Sequence, residues 1–346
     1  MNSYKSLLLI GPNFHHFNQS VQRAFEQLGW NVALCAYDTP ITHYSLSNKI
    51  RYKLSRNKEL LKNNSRISFS KQVKVTFCTL NPQLVFLLNG EMLSSEVVEY
   101  MQKQCPVIIW LYDSITRLPQ CWNILPYCSN VFCYEQEDIP LIREKLSIEC
   151  GFIPQAEDPV LYYSIDNPNK KWDVVFAADI WQSTKRKQYI QKVVSTFPTC
   201  KIKVWGRYKP WYKGFWEWLT RERRDIYANC NTSSQQLNED YNLSKVVLNV
   251  HHEQQKNGAN PKVFEISGSG AYQVCDANPY IESLFSNGEV GLYHNEEEMI
   301  EQIRWALDPA NEQERERRAK AAQEIILKDN TFLSRVKQML EVAEIN

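Results

Sequence analysis

The feature that most constrains this chain is the recurrence of short, almost wholly apolar runs between helix-patterned stretches. Runs at 84–88 (Leu-Val-Phe-Leu-Leu) and 107–111 (Val-Ile-Ile-Trp-Leu) have no polar side. A strand of that kind needs cover on both faces, which a parallel sheet flanked by helices provides. Further strands are expected at 5–10, 31–36, 131–134, 172–178, 201–205, 245–250, 271–275 and 290–293. Between the first two lies an amphipathic helix at 18–28, with Val21, Ala24, Phe25 and Leu28 on one side and Gly29 to end it. Others are expected at 94–104 and 137–145, and the tail from Glu312 to Glu344 is helical in pattern. The alternation predicts an α/β chain of doubly wound sheets.

The chain has 346 residues, and domains typically hold about 100–200. The periodicity pauses at 152–168, a stretch carrying Pro154, Pro159 and Pro168. The expected division is therefore a first Rossmann-like domain at 1–160 and a second at 161–330. A terminal helix at 331–346 is expected to pack back toward the first domain. Forty Lys and Arg balance 39 Asp and Glu, so bulk charge argues against a nucleic-acid partner. Leu7 to Ile10 is too short an apolar run for a signal peptide, and no stretch reaches the ~20 residues of a membrane span. The ten cysteines form no CxxC pair, and the six histidines show no ligand spacing. The expectation is a cytoplasmic protein with reduced thiols and no metal site.

Two doubly wound domains place their ligands at the carboxyl ends of the strands. Leu248 to Asp276 is the most informative such region. Asn260 is a good N-cap and Pro261 a good first helical residue, with Lys262 and Glu265 in the opening turns. A helix start of this type suits a diphosphate, Lys262 adds a charge, and Glu265 is an acceptor for vicinal sugar hydroxyls. Lys185 and Arg186, in the cluster from Asp179 to Lys187, suit a phosphate-facing role, and Arg207 follows another strand end. In the first domain, His15 and His16 follow the first strand, suited to act as a base toward an acceptor hydroxyl or to contact the donor phosphate, and Asp113, after the run at 107–111, is an equally placed acid. Glu91 is a weaker acid of the same type. His251 and His252, at a strand tip, suit either pocket lining or packing. From Lys49 to Lys74 nine basic residues face one acid, Glu59, a pattern that suits an anionic membrane surface. The segment from Tyr208 to Arg224 interleaves aromatic and basic residues, suiting an interface or a sugar.

The stretch Asn260-Pro-Lys-Val-Phe-Glu-Ile-Ser-Gly-Ser-Gly-Ala271 resembles the N-x-R-x-F-E-x-x-x-x-G segment of the CgeB-like, spore-maturation type of glycosyltransferase, related to the family 4 enzymes. Ile109-Trp-Leu-Tyr-Asp-Ser114, Phe132-Cys-Tyr-Glu-Gln-Glu-Asp138, Phe152-Ile-Pro-Gln-Ala-Glu-Asp-Pro159, Trp172-Asp-Val-Val-Phe176 and Ser283-Leu-Phe-Ser-Asn-Gly-Glu289 follow the family's order. The resemblance spans about residues 84 to 335 and implies a GT-B fold with the two domains facing a central cleft. It implies a nucleoside-diphosphate sugar donor held mainly by the second domain, first of all a UDP-sugar, with Glu265 near the ribose, Asn260 and Lys262 in the matching segment and a basic residue at Lys185 or Arg186; Arg207 stays a candidate by its position after a strand. The acceptor would be a glycan or a lipid-linked sugar in bacterial surface polysaccharide or lipopolysaccharide synthesis, with contact at the inner face of the membrane. Retention is what the resemblance implies, whereas metal-free transfer is expected because phosphate contacts at the helix starts need no divalent cation and the sequence has no Asp-x-Asp pair. Two departures stand out: Lys262 replaces the usual Arg, and Asn257 falls where the broader family has a second acid. A nucleotide-sugar epimerase or hydrolase, or a non-catalytic sugar-nucleotide-binding subunit, is the alternative.

Overall fold

The computed structural model describes residues 5–13, 15–37, 58–166, 169–180, 183–207, 224–228, 230–253 and 255–345. Part of the basic run and nearly all of the aromatic segment at 208–224 lie outside the described residues. The chain forms two compact units, one from the residues up to Pro154 together with those from Phe332 onward, the other Gln155–Thr331.

The first unit holds strands β1 (Lys5–Pro12), β2 (Trp30–Tyr37), β3 (Leu84–Leu88), β4 (Val107–Leu111), β5 (Asn130–Cys133) and β6 (Cys150–Phe152) in the order β2-β1-β3-β4-β5-β6. Every pairing is parallel. All residues of β3 and β4 are buried, as runs without a polar side require. Helices α1 (Phe17–Gln27), α2 (Lys58–Leu80), α3 (Ser95–Gln102) and α4 (Asp138–Leu146) connect them.

The second unit holds β7 (Trp172–Ala177), β8 (Ile202–Trp205), β9 (Ser244–Asn249), β10 (Gln273–Asp276) and β11 (Gly291–Tyr293), again parallel, in the order β11-β10-β9-β7-β8. Its helices are α5 (Thr184–Thr196), α6 (Ser234–Asn242), α7 (Pro261–Gly268), α8 (Pro279–Leu284), α9 (Glu296–Leu307) and α10 (Glu312–Asp329). Local caps set the helix starts: Ser183, Asn260, Asn278 and Asn295 each accept a backbone N–H from the first turn. Three consecutive glutamates open α9, where they complement the helix dipole. Phe264 on α7 is fully buried, and such a ring contributes about 1.5–3 kcal/mol by its removal from water.

The expected strands are all present, within about two residues at their ends. Strand β6 was not legible, being three residues with a central glycine that end where the stretch read as a linker begins. The helical tail is two helices, α10 and α11 (Phe332–Val342), broken at Asn330–Thr331. Helix α11 packs on α1 within the first unit, where Phe332 stacks on Tyr112 at 6.2 Å between ring centres. None of the described helices is long and apolar enough to cross a membrane.

In each sheet the strand order reverses at one point, between β1 and β3 and between β7 and β9. Ligands of open α/β sheets bind outside the carboxyl ends of the strands at such a reversal. The loops leaving β7 and β9 lead to α5 and α7, the two helix starts singled out in the sequence.

Candidate functional site

Asn260 does the work of an N-cap and more. Its Oδ1 accepts the Val263 N–H at 3.2 Å, and its Nδ2 donates to Asn249 Oδ1 at 2.9 Å. Its own backbone N–H donates to Nε2 of His251 at 3.2 Å. The opposite ring nitrogen, Nδ1, lies 2.6 Å from Asp276 Oδ1. Because Nε2 faces a donor, the hydrogen bonds assign the ring proton to Nδ1. Asp276 also accepts the His251 N–H at 2.9 Å and the Lys185 Nζ at 2.6 Å. Burial alone would raise the Asp276 carboxyl, but His251 and Lys185 outweigh it and hold it well below the usual carboxylate range. One buried acid at the end of β10 thus ties the tip of β9 to the starts of α5 and α7.

His251, Cys275 and Asp276 bring a ring nitrogen, a thiol and a carboxylate within 4.8 Å of one another, the grouping among the described residues most like a cation site. The tautomer argues against that use, since Nδ1 carries the proton and has no lone pair to offer. Burial also pushes the Cys275 thiol well above its ordinary value, so it stays protonated.

At α5, the Ser183 hydroxyl caps the Arg186 N–H at 3.1 Å and donates to Glu253 Oε1 at 3.0 Å. The same carboxylate accepts the Lys185 N–H at 2.9 Å. This helix start, read from sequence as phosphate-facing, therefore carries the protein's own carboxylate. The Arg186 guanidinium turns inward, giving Nε to Val250 O at 2.9 Å and Nη1 to Asp179 O at 3.3 Å. Arg207 grips Asp179, with Nη2 at 2.6 Å and its N–H at 2.9 Å from the carboxylate. Arg207 is more than half exposed, so the pair adds little to stability. On α7, Lys262 pairs with Glu265 one turn later, and Glu265 is almost fully buried. All six residues assigned to the donor lie at the carboxyl edge of this one sheet. Each of these cations already has a partner within the protein: a carboxylate for Lys185, Arg207 and Lys262, and backbone carbonyls for Arg186.

In the first unit, His15 is exposed with a left-handed φ of 52°, and His16 precedes α1 with Nδ1 2.9 Å from Ser20 Oγ. Asp113 accepts the Ser114 N–H at 2.9 Å and pairs with Arg117 at 3.0 Å. Glu91 follows the left-handed Asn89–Gly90 turn and accepts the Tyr37 hydroxyl. Burial, the largest influence on it, raises the Glu91 carboxyl. These groups line the carboxyl edge of β1 to β4.

Asp276, Glu253 and Asp179 were not singled out as site residues from sequence. Asp276 left one signal, a lone acid directly after an apolar run, and its partners lie 25 and 91 residues away.

A family model described as "Glycosyl transferase-like" matches residues 185–341. Solved structures match nearly the whole chain. A sucrose-phosphate synthase from Thermosynechococcus elongatus is 14% identical with a TM-score of 0.68, covering 98% of both chains. Anabaena Alr3699/HepE, solved in complex with UDP and glucose, is 12% identical with a TM-score of 0.65, covering 98% of this chain and 99% of its own. An α,α-trehalose-phosphate synthase (UDP-forming) from Burkholderia vietnamiensis is 12% identical with a TM-score of 0.64 and the same coverage. No curated protein matches the sequence significantly. At these identities the likeness is one of fold, that of the GT-B glycosyltransferases, with a glycosyl transferase-like domain over residues 185–341. The enzyme class read from the sequence, a glycosyltransferase, is the class these matches give.

Proposed function

We propose that this chain transfers a sugar from a nucleoside-diphosphate sugar, a UDP-sugar first among them, to a glycan or lipid-linked acceptor of a bacterial surface polysaccharide or lipopolysaccharide. The observation that carries the reading is that Lys185 and Asn260 meet on the Asp276–His251 pair at the strand-order reversal of the second unit, while the helix that Asn260 caps carries the Lys262–Glu265 pair in its opening turns. A diphosphate entering there takes Lys262 from Glu265 and meets the start of α7. The freed Glu265 carboxylate then accepts hydrogen bonds from the nucleotide ribose. Lys185 and Lys262 oppose the negative charge that grows on the leaving diphosphate, a role that needs no divalent cation. Retention follows from the resemblance. His15, His16 and Asp113 are the acceptor-side candidates, Asp113 once it parts from Arg117.

The test is a titration with UDP-, GDP-, CMP- and dTDP-sugars. One class binds at micromolar to millimolar strength, and Glu265→Ala weakens it about 10- to 100-fold, the worth of hydrogen bonds to a charged group. Unchanged binding in that variant removes the role of Glu265. A transfer rate abolished by EDTA would count against the metal-free reading.

One observation favours a second reading, the non-catalytic subunit. Asn257, in place of an acid, accepts the Tyr280 N–H at 3.1 Å and so serves the start of α8. Donor binding with no transfer to cell-envelope acceptors would select it.

On α2, exposed Lys71 and Lys74 lie near the exposed apolar Ile67 and Val75 in sequence. We assign this helix to contact with anionic lipid, beside the lipid-linked acceptor. Co-sedimentation with phosphatidylglycerol vesicles is expected at low salt, and its loss with neutral vesicles; equal recovery with both would sink the assignment.

A further inference from the structure

Glu157 is completely buried, three residues into the second unit. Its backbone N–H donates to Asn330 O at 2.9 Å, and it bridges in parallel to Thr331, so it lies where the chain enters this unit beside where it leaves. The side chain runs against α7. A Cβ on Gly268 would stand 2.5 Å from Glu157 Cδ and 2.8 Å from Oε1, so only glycine lets the carboxyl come this close. Glu265 is one turn back along the same helix, and residues three apart share a helix face. Neither oxygen of Glu157 reaches a hydrogen-bond partner of standard geometry, and both are shut off from solvent. Glu265 has Lys262.

Two acids on one buried face do not both ionise, and the one holding a cation keeps its charge. We propose that Glu157 is a positioning residue for Glu265: at neutral pH it is a neutral carboxylic acid packed under α7, which leaves Glu265 the one anion on that face. This rests on the reading of Glu265 as the acid that meets the nucleotide. The groups facing Glu157 are Glu265 and Lys262 from α7, its neighbour Asp158, Tyr162, and Tyr241 from α6. The returning stretch contributes Asn330 and Thr331, which do not titrate. Burial first, then Glu265 and Asp158, push the Glu157 carboxyl well above its ordinary value, against the Asp158 amide and Lys262.

The sign of the linkage is fixed by that direction. A carboxyl whose folded pKa is raised contributes stability that is complete below the unfolded value and is lost as pH rises toward the folded one. Glutamine cannot lose the proton. Unfolding of the full-length protein and of Glu157→Gln is therefore expected to coincide near pH 4 and to diverge above it. The wild-type unfolding constant should grow about tenfold per pH unit relative to the variant. The infrared spectrum at pH 8 is expected to contain a protonated-carboxyl band that Glu157→Gln lacks. UDP affinity should survive in Glu157→Gln and fall about tenfold in Glu157→Ala, the neutral amide rescuing what truncation removes.

Parallel pH profiles with no such band would overturn the neutral acid. Divergent profiles with equal UDP affinity in wild type and Glu157→Ala would overturn the positioning role. Failure of the Glu265 reading is separately visible as unchanged UDP binding in Glu265→Ala, whereas the unfolding profiles and the infrared band do not depend on it. Should Glu157→Gln not fold, Glu157→Met carries the unfolding and infrared arms.

Discussion

Asp276→Ala is expected to destabilise the second unit by about 3 kcal/mol and to remove measurable nucleotide binding. Breaking a buried ion pair from one side costs about 3–5 kcal/mol, and the lower end applies because Lys185 is partly exposed. The loss has a defined route. His251 Nδ1 and its backbone N–H lose their acceptor, so the ring is no longer held with Nε2 toward Asn260. The cap of α7 then loosens, and Lys185 loses its anchor at the start of α5. Asp276→Asn keeps the shape but not the charge, so it should fall between the two.

The two proteins should also differ in acid. The folded pKa of Asp276 is depressed, so its contribution is present above the unfolded carboxylate value and is lost as pH falls through the folded one. Urea unfolding below pH 4 should show wild type losing its advantage over Asp276→Asn. Wild-type stability and UDP binding in Asp276→Ala would refute the network.

Gly206→Ala is expected to cost about 2–4 kcal/mol, from a strained backbone and an overpacked site together. Gly206 has φ of 109°, and a Cβ there would stand 2.2 Å from Ala178 O and 2.5 Å from its carbonyl carbon. Those atoms are backbone at the end of β7, so no rotamer relieves the clash. The displaced segment carries Asp179 and Arg207, and nucleotide affinity should fall as well. Gly29→Ala is the control. Its φ is 82°, but nothing lies within 4 Å of the added carbon, so only the conformational cost of about 1–2 kcal/mol remains. Equal unfolding midpoints for the two variants would show that the Ala178 contact does not matter.

Much of the fold was legible because its signals are local. The runs at 84–88 and 107–111 read as strands since both faces of a parallel sheet are buried, and each such residue is buried here. The start of α7 was legible because a cap is a matter of neighbouring residues, Asn260 before Pro261. Strand β6 was not, because three residues carry no periodicity. Helix α2 did not stand out either, since apolar Ile67 and Val75 sit on its exposed side and blur the pattern.

What the sequence determined by itself, then, is the order of the longer strands and helices and the cations at strand ends, with Glu265 on its capped helix, but not the acids Asp276, Glu253 and Asp179 that hold them. The folded structure alone decided which of those charges meet. Lys185 and Asp276 are 91 residues apart, and the neutral or ionised state of Glu157 depends on Glu265 and on a glycine that lets a helix settle against it. Periodicity and capping act over a few residues, but Coulomb energy and desolvation depend on distance in space, and only the packing of the sheet fixes that.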